Sequence, residues 1–371
     1  MLFRSNYVII ASMNILSIES SCDETAASII SGDPFSADAK PTILSNVVVS
    51  QIDIFKSYGG VIPEVAARSH LEAILPVIHQ AFKDAGFQKN SKDDWDKIDS
   101  IAVTHTPGLL GSLLIGTLTA RTLAILHNKP LYAVHHLKSH IYSNWLEKDT
   151  VPEFPLLALV ISGGHTQIIR MTEHNNFKII GTTLDDAVGE CFDKVAKILG
   201  LPYPGGPSIA DSAKSGDPDK YKLPHPQIKN LDFSFSGLKT AVLRAVQKEV
   251  GVPISYPSHE LKNLLSVQQV ADFSASFQDT ACDILLEKLQ KALKQYPDTK
   301  AVVFAGGVSA NERLQEKAKQ TFTTPNVFFP KKRFCGDNGA MVGSATFYEV
   351  ASGIKPTNPY KLDILPRSNI K

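Results

Sequence analysis

Two histidines, His136 and His140, are separated by one helical turn in the segment H-L-K-S-H. The apolar run at residues 131–134 just before them is typical of a buried strand. If the segment is helical, the Cβ atoms of the two histidines lie about 5–6 Å apart on one face, and both imidazoles can bind one metal ion. Because such pairs also arise by chance, the pair predicts a metal site only together with a further ligand.

Asp337 is the candidate for that further ligand. It lies in C-G-D-N-G at residues 335–339, directly before a predicted helix at 338–351, where an aspartate often serves as the helix cap. As a ligand it would instead complete a site of two histidines and one carboxylate with open coordination positions. A zinc protease of the H-E-x-x-H type needs a glutamate after the first histidine as general base, and this chain has Leu137 there. A metalloprotease would therefore lack its base.

Three glycine-containing loops favour a site for an anion. They are S-G-G at 162–164 and G-G-V-S-A-N at 306–311, each after a predicted buried strand, and a stiff P-G-G-P turn at 204–207. Glycine lets backbone N–H groups approach a phosphate closely, and a helix N-terminus adds positive partial charge. Each loop alone is also explained as a plain turn, but the three together favour nucleotide binding. The Rossmann and P-loop patterns are both absent from the sequence, which disfavours those two kinds of site.

The run E-S-S-C-D-E supplies three carboxylates, Glu19, Asp23 and Glu24, which we expect on the tip of a hairpin. Carboxylates there would orient a metal-bound phosphate or accept a proton. The alternative is that they are solvated, as polar residues in turns commonly are.

Two similar hairpins must position these groups. One consists of strands at 14–19 and 25–30, and the other of strands at 156–161 and 166–171. Between and after them, helical stretches such as 63–85 and 111–127 alternate with strand-like runs such as 100–104 and 301–305. In the first of these helices, Ile74, Leu75, Ile78 and Phe82 recur at helical spacing and predict its buried face. The alternation predicts an α/β architecture, and the repeated hairpin predicts two related lobes.

A chain of 371 residues exceeds the usual size of one domain. We expect a first lobe at 13–152, to which the C-terminal segment 335–365 returns, and a second lobe at 153–334. Residues 1–12 precede the first strong strand pattern and are predicted to be an N-terminal extension. Their short apolar run makes only a weak signal peptide.

Composition and charge limit the binding partners and the cellular compartment that we expect for this chain. The net charge of +1 gives no global electrostatic reason to bind nucleic acid, so any RNA contact must come from local basic runs such as Lys331, Lys332 and Arg333. The sequence contains no apolar run near the roughly 20 residues that span a bilayer, so we expect no membrane association. Four scattered cysteines without a C-x-x-C pair fit a reducing cytoplasm.

Eight motifs, in order along nearly the whole chain from Met13, resemble the bacterial tRNA N6-adenosine threonylcarbamoyltransferase family. They are E-S-S-C-D-E-T at 19–25, V-H-H-L-K-S-H at 134–140, S-G-G-H-T at 162–166, D-D-A-V-G-E-C-F-D-K at 185–194, Y-P-G-G-P at 203–207, F-S-F-S-G-L-K-T at 233–240, G-G-V-S-A-N at 306–311 and C-G-D-N-G-A-M at 335–341.

The resemblance implies the fold of actin, sugar kinases and Hsp70, with two RNase H-like lobes and a nucleotide cleft between them. It also implies transfer of a threonylcarbamoyl group from L-threonylcarbamoyladenylate to N6 of adenosine 37 in tRNAs that read ANN codons, forming t6A and AMP. The partners it implies are tRNA, an inactive paralogue subunit and a small ATPase.

Roles for individual residues follow from the same resemblance. It implies one divalent ion per subunit, Fe²⁺ or Zn²⁺, on His136, His140 and Asp337, and Mg²⁺ accompanying bound nucleotide. Asp23 and Glu24 are implied to take part in catalysis. The implied substrate contacts are Val160, Ile161, Ser162, Gly163, Gly164, Asp193, Gly206 and Asn311. The alternatives from the residues alone are an actin-like ATPase or kinase, which the glycine loops permit, and the metalloprotease.

Overall fold

The structure, a computed structural model, describes residues 12–87, 92–226 and 228–370. The predicted N-terminal extension at 1–12 lies outside these residues except for Ser12. The described chain forms two compact units. The first comprises residues up to 49, 67–148 and 338–368, and the second comprises 50–66, 149–337 and the terminus from 369.

The first unit contains a five-stranded sheet in the order β3-β2-β1-β4-β5. Its strands are β1 (Met13–Glu19), β2 (Glu24–Gly32), β3 (Thr42–Ser50), β4 (Ser100–Thr106) and β5 (Leu131–His135). β1 pairs antiparallel with β2 and parallel with β4, and β4 pairs parallel with β5. Because β1 is central and covered on both faces, nearly all of its residues are buried.

The helices that precede the second sheet along the chain are α1 (Ile52–Lys56), α2 (Pro63–Asp84), α3 (Lys92–Asp96), α4 (Leu110–Leu126) and α5 (His136–Tyr142). Pro63 begins α2, where its missing N–H costs no helical hydrogen bond. Ile74, Ile78 and Phe82 of α2 are buried as their spacing predicts. Leu75 was expected on the same face, but it is 62% exposed, because it lies one residue beyond the buried stripe.

The second unit contains a five-stranded sheet in the order β10-β9-β6-β7-β8. Its strands are β6 (Leu156–Ile161), β7 (Thr166–Met171), β8 (Phe177–Thr182), β9 (Ala301–Ala305) and β10 (Asn326–Phe328). β6 pairs antiparallel with β7 and parallel with β9, and β9 pairs parallel with β10. All six residues of β6 are buried, in keeping with its central position.

Five helices accompany this sheet: α6 (Val188–Leu199), α7 (Gly205–Ala213), α8 (Ser236–Glu249), α9 (Val267–Gln295) and α10 (Glu312–Thr321). α6 ends at Gly200, whose φ of 75° is favourable only for glycine. α9 begins with a capping box between Ser266 and Gln269. The sequence predicted only a turn at 204–207, whereas Gly205 is the first residue of α7.

The last helix, α11 (Gly339–Ala351), belongs to the first unit and packs on β1, β2 and α5. Two glycines allow this close packing. A Cβ at Gly339 would lie 2.6 Å from the Ser28 nitrogen, and one at Gly343 would lie 2.9 Å from Ser17 Oγ. The helix is therefore held directly against the sheet.

Each unit has its own apolar core. In the first, Leu16, Ile18 and Phe82 are among the buried residues, and in the second, Leu157, Phe192 and Phe277 are. Among the described residues, no helix is long and apolar enough to cross a membrane.

Candidate metal centre and substrate loops

α5 carries both predicted metal histidines on one face. His136 is its first residue and His140 its fifth, and their rings pack edge to face with centroids 4.6 Å apart. Both imidazoles are buried. The helix begins at this point because the Nδ1 of His135, the N-cap, accepts the N–H of Leu137 at 3.2 Å. The local sequence thus sets the register in which the two rings meet.

Asp337 lies beside these two histidines. One ligand atom from each of His136, His140 and Asp337 can be chosen so that all lie within 4.8 Å of one another. The alternative interpretation of Asp337 as the helix cap is wrong, because Asn338 fills that position: its side chain accepts the N–H of Met341 at 3.0 Å. The three residues named as metal ligands from the sequence are therefore brought together.

The residues that directly follow Asp337 are bonded to the sheet of the first unit. Asp337 is joined by a peptide bond to Asn338, the first residue of this part of the first unit. Ser17 Oγ donates to the Gly339 carbonyl at 2.8 Å, and Ala340 N–H donates to Asn46 Oδ1 at 3.0 Å. Asp337 is thus only two residues from a backbone that is bonded to the sheet carrying α5.

The chemistry of this donor set fits a divalent transition metal. Imidazole nitrogen suits zinc and iron, and two histidines with one carboxylate leave coordination positions open for a substrate. The residues present are therefore a possible site for one metal ion.

Glu19 lies beneath His136 and is fully buried. Its Oε1 accepts the N–H of Ser21 at 2.6 Å, and its Oε2 accepts the hydroxyl of Thr104 at 2.5 Å. The same Oε2 is 3.3 Å from His136 Nδ1, and Ser21 Oγ is 3.2 Å from that nitrogen. The expectation that Glu19 lies on the hairpin tip is wrong, because it is the last residue of β1, between β2 and β4.

Asp23 and Glu24 lie in the turn and at the start of β2, and both are half-buried. The turn is held to α2 by His70, whose Nε2–H donates to the Cys22 carbonyl at 2.9 Å. His70 Nδ1 then accepts the hydroxyl of Thr25 at 2.7 Å. Burial lowers the pKa of His70, which keeps the ring in this neutral form. The catalytic role of the two carboxylates stays a prediction.

The C-terminal segment lies against the strands that lead into the metal helix. His135 Nε2–H donates to the Ser368 carbonyl at 3.3 Å, and His105 Nδ1–H donates to the Asp363 carbonyl at 3.0 Å. Burial lowers the pKa of His135 to about 3, so this ring is neutral and its Nδ1 can accept the N–H that starts α5. The return of the C-terminal segment to the first lobe was predicted, but its bonds to His105 and His135 were not.

In the second unit, the loops at 162–164 and 306–311 follow β6 and β9, which are adjacent parallel strands. They therefore lie side by side at the carboxyl edge of the sheet, the usual place for a ligand in such folds. Gly306 has φ 89° and ψ 168°, and a Cβ there would lie 2.4 Å from the Ile161 carbonyl oxygen. By contrast, a Cβ at Gly163 or Gly164 would have no neighbour within 4 Å.

The predicted contacts at Val160 and Ile161 differ from those at 162–164. Both residues are inside β6 with fully buried side chains, so any contact with a ligand must come from their backbone. Ser162 turns the chain: its N–H donates to the His165 carbonyl at 2.9 Å, and its Oγ accepts the His165 N–H at 3.2 Å.

Asp193 joins α6 to the glycine turn. Its Oδ1 accepts the N–H of Gly205, the first residue of α7, at 2.7 Å. Gly189, one turn earlier in α6, packs on the substrate loop, since a Cβ there would lie 2.5 Å from the Ser162 carbonyl oxygen. A Cβ at Gly206 would have no neighbour within 4 Å. Contacts therefore connect Ser162, Asp193 and the N-terminus of α7, which is favourable for an anion.

Asn311 is the N-cap of α10. Its Oδ1 accepts the N–H of Leu314 at 3.0 Å, and its Nδ2 donates to Gln278 Oε1 at 2.8 Å. Both ends of the amide thus already make hydrogen bonds within the protein. Its predicted contact with substrate stays a prediction.

Comparison with known sequences gives the family. The profile described as "TsaD: tRNA N6-adenosine threonylcarbamoyltransferase" matches residues 42–344. The tRNA N6-adenosine threonylcarbamoyltransferase of Symbiobacterium thermophilum is 45% identical over 344 residues, which cover 92% of this chain and 93% of that protein. The chain belongs to the tRNA N6-adenosine threonylcarbamoyltransferase family. The Bacillus subtilis member is 43% identical over 348 residues and 92% of either chain.

Members of the threonylcarbamoyltransferase family are acyltransferases, and this chain is accordingly an enzyme of the transferase class. Its fold also has relatives of low sequence similarity. The crystal structure of T. kodakarensis HypF matches with a TM-score of 0.59 at 14% identity, over 94% of this chain and 50% of HypF. The chain thus spans half of HypF, and the likeness concerns fold alone. With the two five-stranded sheets and their helices, it confirms the predicted α/β fold.

Residues that support His136 were not recognised from the sequence. The sequence places Glu19 in the acidic run at 19–24 and Thr104 in a strand-like run, and neither position points to His136. Glu19 ends β1 and Thr104 lies near the carboxyl end of β4, and both strands are almost entirely buried. Because buried polar groups require partners, this pattern was the available signal.

Proposed function

We propose that this member of the threonylcarbamoyltransferase family transfers the threonylcarbamoyl group of L-threonylcarbamoyladenylate to N6 of adenosine 37 in tRNAs that read ANN codons. The products are t6A and AMP. The observation that carries the proposal is the cluster of His136, His140 and Asp337, in which both imidazoles are buried, in a chain that matches the family over most of its length. Because its substrate is tRNA, we place the reaction in the cytoplasm.

The acceptor makes this reaction difficult. The exocyclic amine of adenosine is a poor nucleophile because its lone pair is delocalised into the ring. Positioning and stabilisation of developing charge must therefore supply most of the rate.

The second unit binds the adenylate in this proposal. Its support is the open space over Gly163, Gly164 and Gly206, where backbone N–H groups are accessible to the anionic groups of a ligand. Asp193 keeps the N-terminus of α7 in place through Gly205. Asn311, Val160, Ile161 and Ser162 complete the binding set.

His136, His140 and Asp337 hold one divalent ion, Fe²⁺ or Zn²⁺. When bound, such an ion acts as a Lewis acid that stabilises negative charge on the reacting group. The chain supplies a rigid frame for it: α5 is capped by His135, and α11 is bonded to the sheet. Mg²⁺ is expected only as the companion of bound nucleotide.

Asp23 or Glu24 accepts the proton that the amine loses. Both are half-buried at the start of β2, and the turn that carries Asp23 is bonded to His70 through the Cys22 carbonyl. A carboxylate held in this way keeps one position without being cut off from solvent, as a general base requires.

Partner subunits are the next part of the proposal. On α4, Leu110, Leu114 and Leu118 are 58%, 39% and 42% exposed at a spacing of four residues, and on α2, Leu71 and Leu75 are more than 60% exposed. Such an apolar stripe on neighbouring turns is typical of a helix that packs on a partner. We assign it to the inactive paralogue subunit, and a small ATPase completes the assembly.

The stripe is tested with Leu114→Glu. Size-exclusion chromatography with the paralogue should show loss of the complex, while Ile254→Glu, at an apolar and more exposed position in the second unit, should leave it intact. Equal behaviour of the two variants would contradict this assignment.

The activity is tested by reconstitution. With the partner proteins, threonine, bicarbonate, ATP and tRNA, nucleoside mass spectrometry should detect t6A, and His136→Ala should greatly reduce it. Normal t6A formation by that variant would refute the metal role. An actin-like kinase would instead need only exchangeable Mg²⁺, and a metalloprotease would cleave protein despite Leu137.

A further inference from the structure

We propose that Glu19 is a positioning residue that fixes the tautomer of His136. In this arrangement His136 carries its proton on Nδ1, which donates to Glu19, and Nε2 keeps the lone pair that binds the metal ion. The inference rests on the metal role in the proposed function. It concerns a residue of β1 that is remote in sequence from the histidine it controls.

The hydrogen-bond inventory around Glu19 leads to this assignment. Its two carboxylate oxygens receive the Ser21 N–H and the Thr104 hydroxyl at 2.6 and 2.5 Å. In both bonds the carboxylate oxygen is the acceptor, so the side chain presents acceptor oxygens to any further neighbour. The third neighbour, His136 Nδ1 at 3.3 Å, must therefore be a donor as well.

A neutral imidazole has one N–H. If Nδ1 holds that hydrogen, Nε2 is left with a lone pair and becomes the metal-binding atom. The same arrangement, in which a carboxylate bonds the second nitrogen of a metal-binding histidine, orients the ring and raises its basicity. With Asp337, Glu19 would also bring two negative charges to a divalent ion.

Ser21 is the competing partner, since its Oγ is 3.2 Å from His136 Nδ1. A hydroxyl can donate or accept, so it fits either tautomer and selects neither. Glu19 can select one. Removing each partner separately therefore distinguishes the two.

The first experiment needs no change to Glu19. In metal-free protein labelled with ¹⁵N-histidine, long-range ¹H–¹⁵N spectra report which ring nitrogen carries hydrogen. The His136 signals are those that His136→Gln removes. We expect the Nδ1–H pattern, and an Nε2–H pattern or an even mixture would overturn the proposal.

The second experiment measures metal affinity by competition with a chelator, using Zn²⁺ and Co²⁺. Glu19→Gln keeps the shape but lets the side chain donate or accept, so we expect the dissociation constant to rise about 10- to 100-fold. Ser21→Ala should change it much less. Unchanged affinity in folded Glu19→Gln, or a larger loss in Ser21→Ala, would overturn the proposal.

If Glu19→Gln does not fold, Thr104→Val is used instead, because it removes one hydrogen-bond donor to Glu19. We expect a smaller loss of metal affinity in this variant. An unchanged affinity would count against the proposal. Both experiments are done without tRNA or partner proteins. Failure to form t6A would therefore leave their outcome intact, and the two proposals can fail separately.

Discussion

The two units of the molecule use one sheet topology for different chemistry. In each sheet the first strand pairs antiparallel with the second and parallel with the fourth, and the fifth pairs parallel with the fourth. Each also has a glycine after the fourth strand that touches the end of the first. A Cβ added at Gly108 would lie 2.5 Å from the Ser21 carbonyl oxygen. A Cβ added at Gly306 would lie 2.4 Å from the Ile161 carbonyl oxygen.

The two sheets differ in the residues at their carboxyl edges. In the first unit, Glu19, Thr104 and His136 fill it with buried polar side chains. In the second unit, Gly163 and Gly164 leave it open. Imidazole and carboxylate groups suit a cation, while uncovered backbone N–H groups suit an anion. The same scaffold can thus serve either ligand, and the edge residues decide which.

The largest effect should come from the metal ligands. His140→Ala should lower the rate of t6A formation more than about 100-fold, since changes outside the ligand set alone cost about 10- to 100-fold. The matched control is His174→Ala, which removes a partly buried histidine from the second unit. Rates are measured by nucleoside mass spectrometry, and equal losses in the two variants would break the contrast between the units.

The two equivalent glycines test the shared scaffold. Gly306→Ala should cost about 2–6 kcal/mol, because it adds a collision of about 1–3 kcal/mol to a backbone conformation that costs other residues about 1–3 kcal/mol. Gly108→Ala should cost about 1–3 kcal/mol from its collision alone. Urea unfolding gives both values. A neutral Gly306→Ala would show that the close approach of the strands is not required.

Gly163→Ala tests the open loop. The added methyl group meets no protein atom within 4 Å, so the free energy of unfolding should not fall. In the proposed function, this methyl group would occupy space that the ligand fills. We therefore expect the dissociation constant of AMP or an adenylate analogue to rise roughly tenfold, which is about 1.4 kcal/mol of binding free energy. Calorimetric titration measures this affinity. Unchanged binding together with unchanged stability would remove Gly163 from the proposed binding set.

Acid should affect both units through buried histidines, and His174 gives the simplest case. Burial lowers its pKa to about 4, below the unfolded value of 6.5. Its contribution to stability is therefore complete above pH 6.5 and is lost as the pH falls towards 4. As the pH falls through that range, the free energy of unfolding of His174→Gln should decrease less than that of the native chain. The difference should be up to about 1.4 kcal/mol per pH unit.

Chemical unfolding at a series of pH values checks this difference. The control is His259→Gln, which changes a histidine whose side chain is 74% exposed. Parallel stability curves for the native chain and His174→Gln would contradict the expected acid effect.

Much of this scaffold was predictable because its signals are local. The hairpins of β1 with β2 and of β6 with β7 follow from short apolar runs separated by polar turns, and the spacing of His136 and His140 predicts a shared helical face. β3, β8 and β10 were not predicted. They are edge strands with partly exposed residues, so they lack a long apolar run.

Other features depend on contacts between distant segments. Neither the burial of Glu19 nor its approach to His136 has a signal in the spacing of the sequence, because β1 and α5 are separated by more than one hundred residues. Asp337 and Asn338 are adjacent residues that can each cap a helix, so a shift of one residue decides that Asn338 is the cap of α11. The lobe boundaries expected at 152/153 and 334/335 stay a prediction, as do the roles of the individual substrate and catalytic residues.

The metal content of freshly purified native protein and of His136→Ala, both measured by elemental analysis, tests the proposed metal centre most directly. We expect about one Fe or Zn atom per chain in the native protein and nearly none in the variant. A native protein without either metal, or an equal metal content in folded His136→Ala, would contradict it.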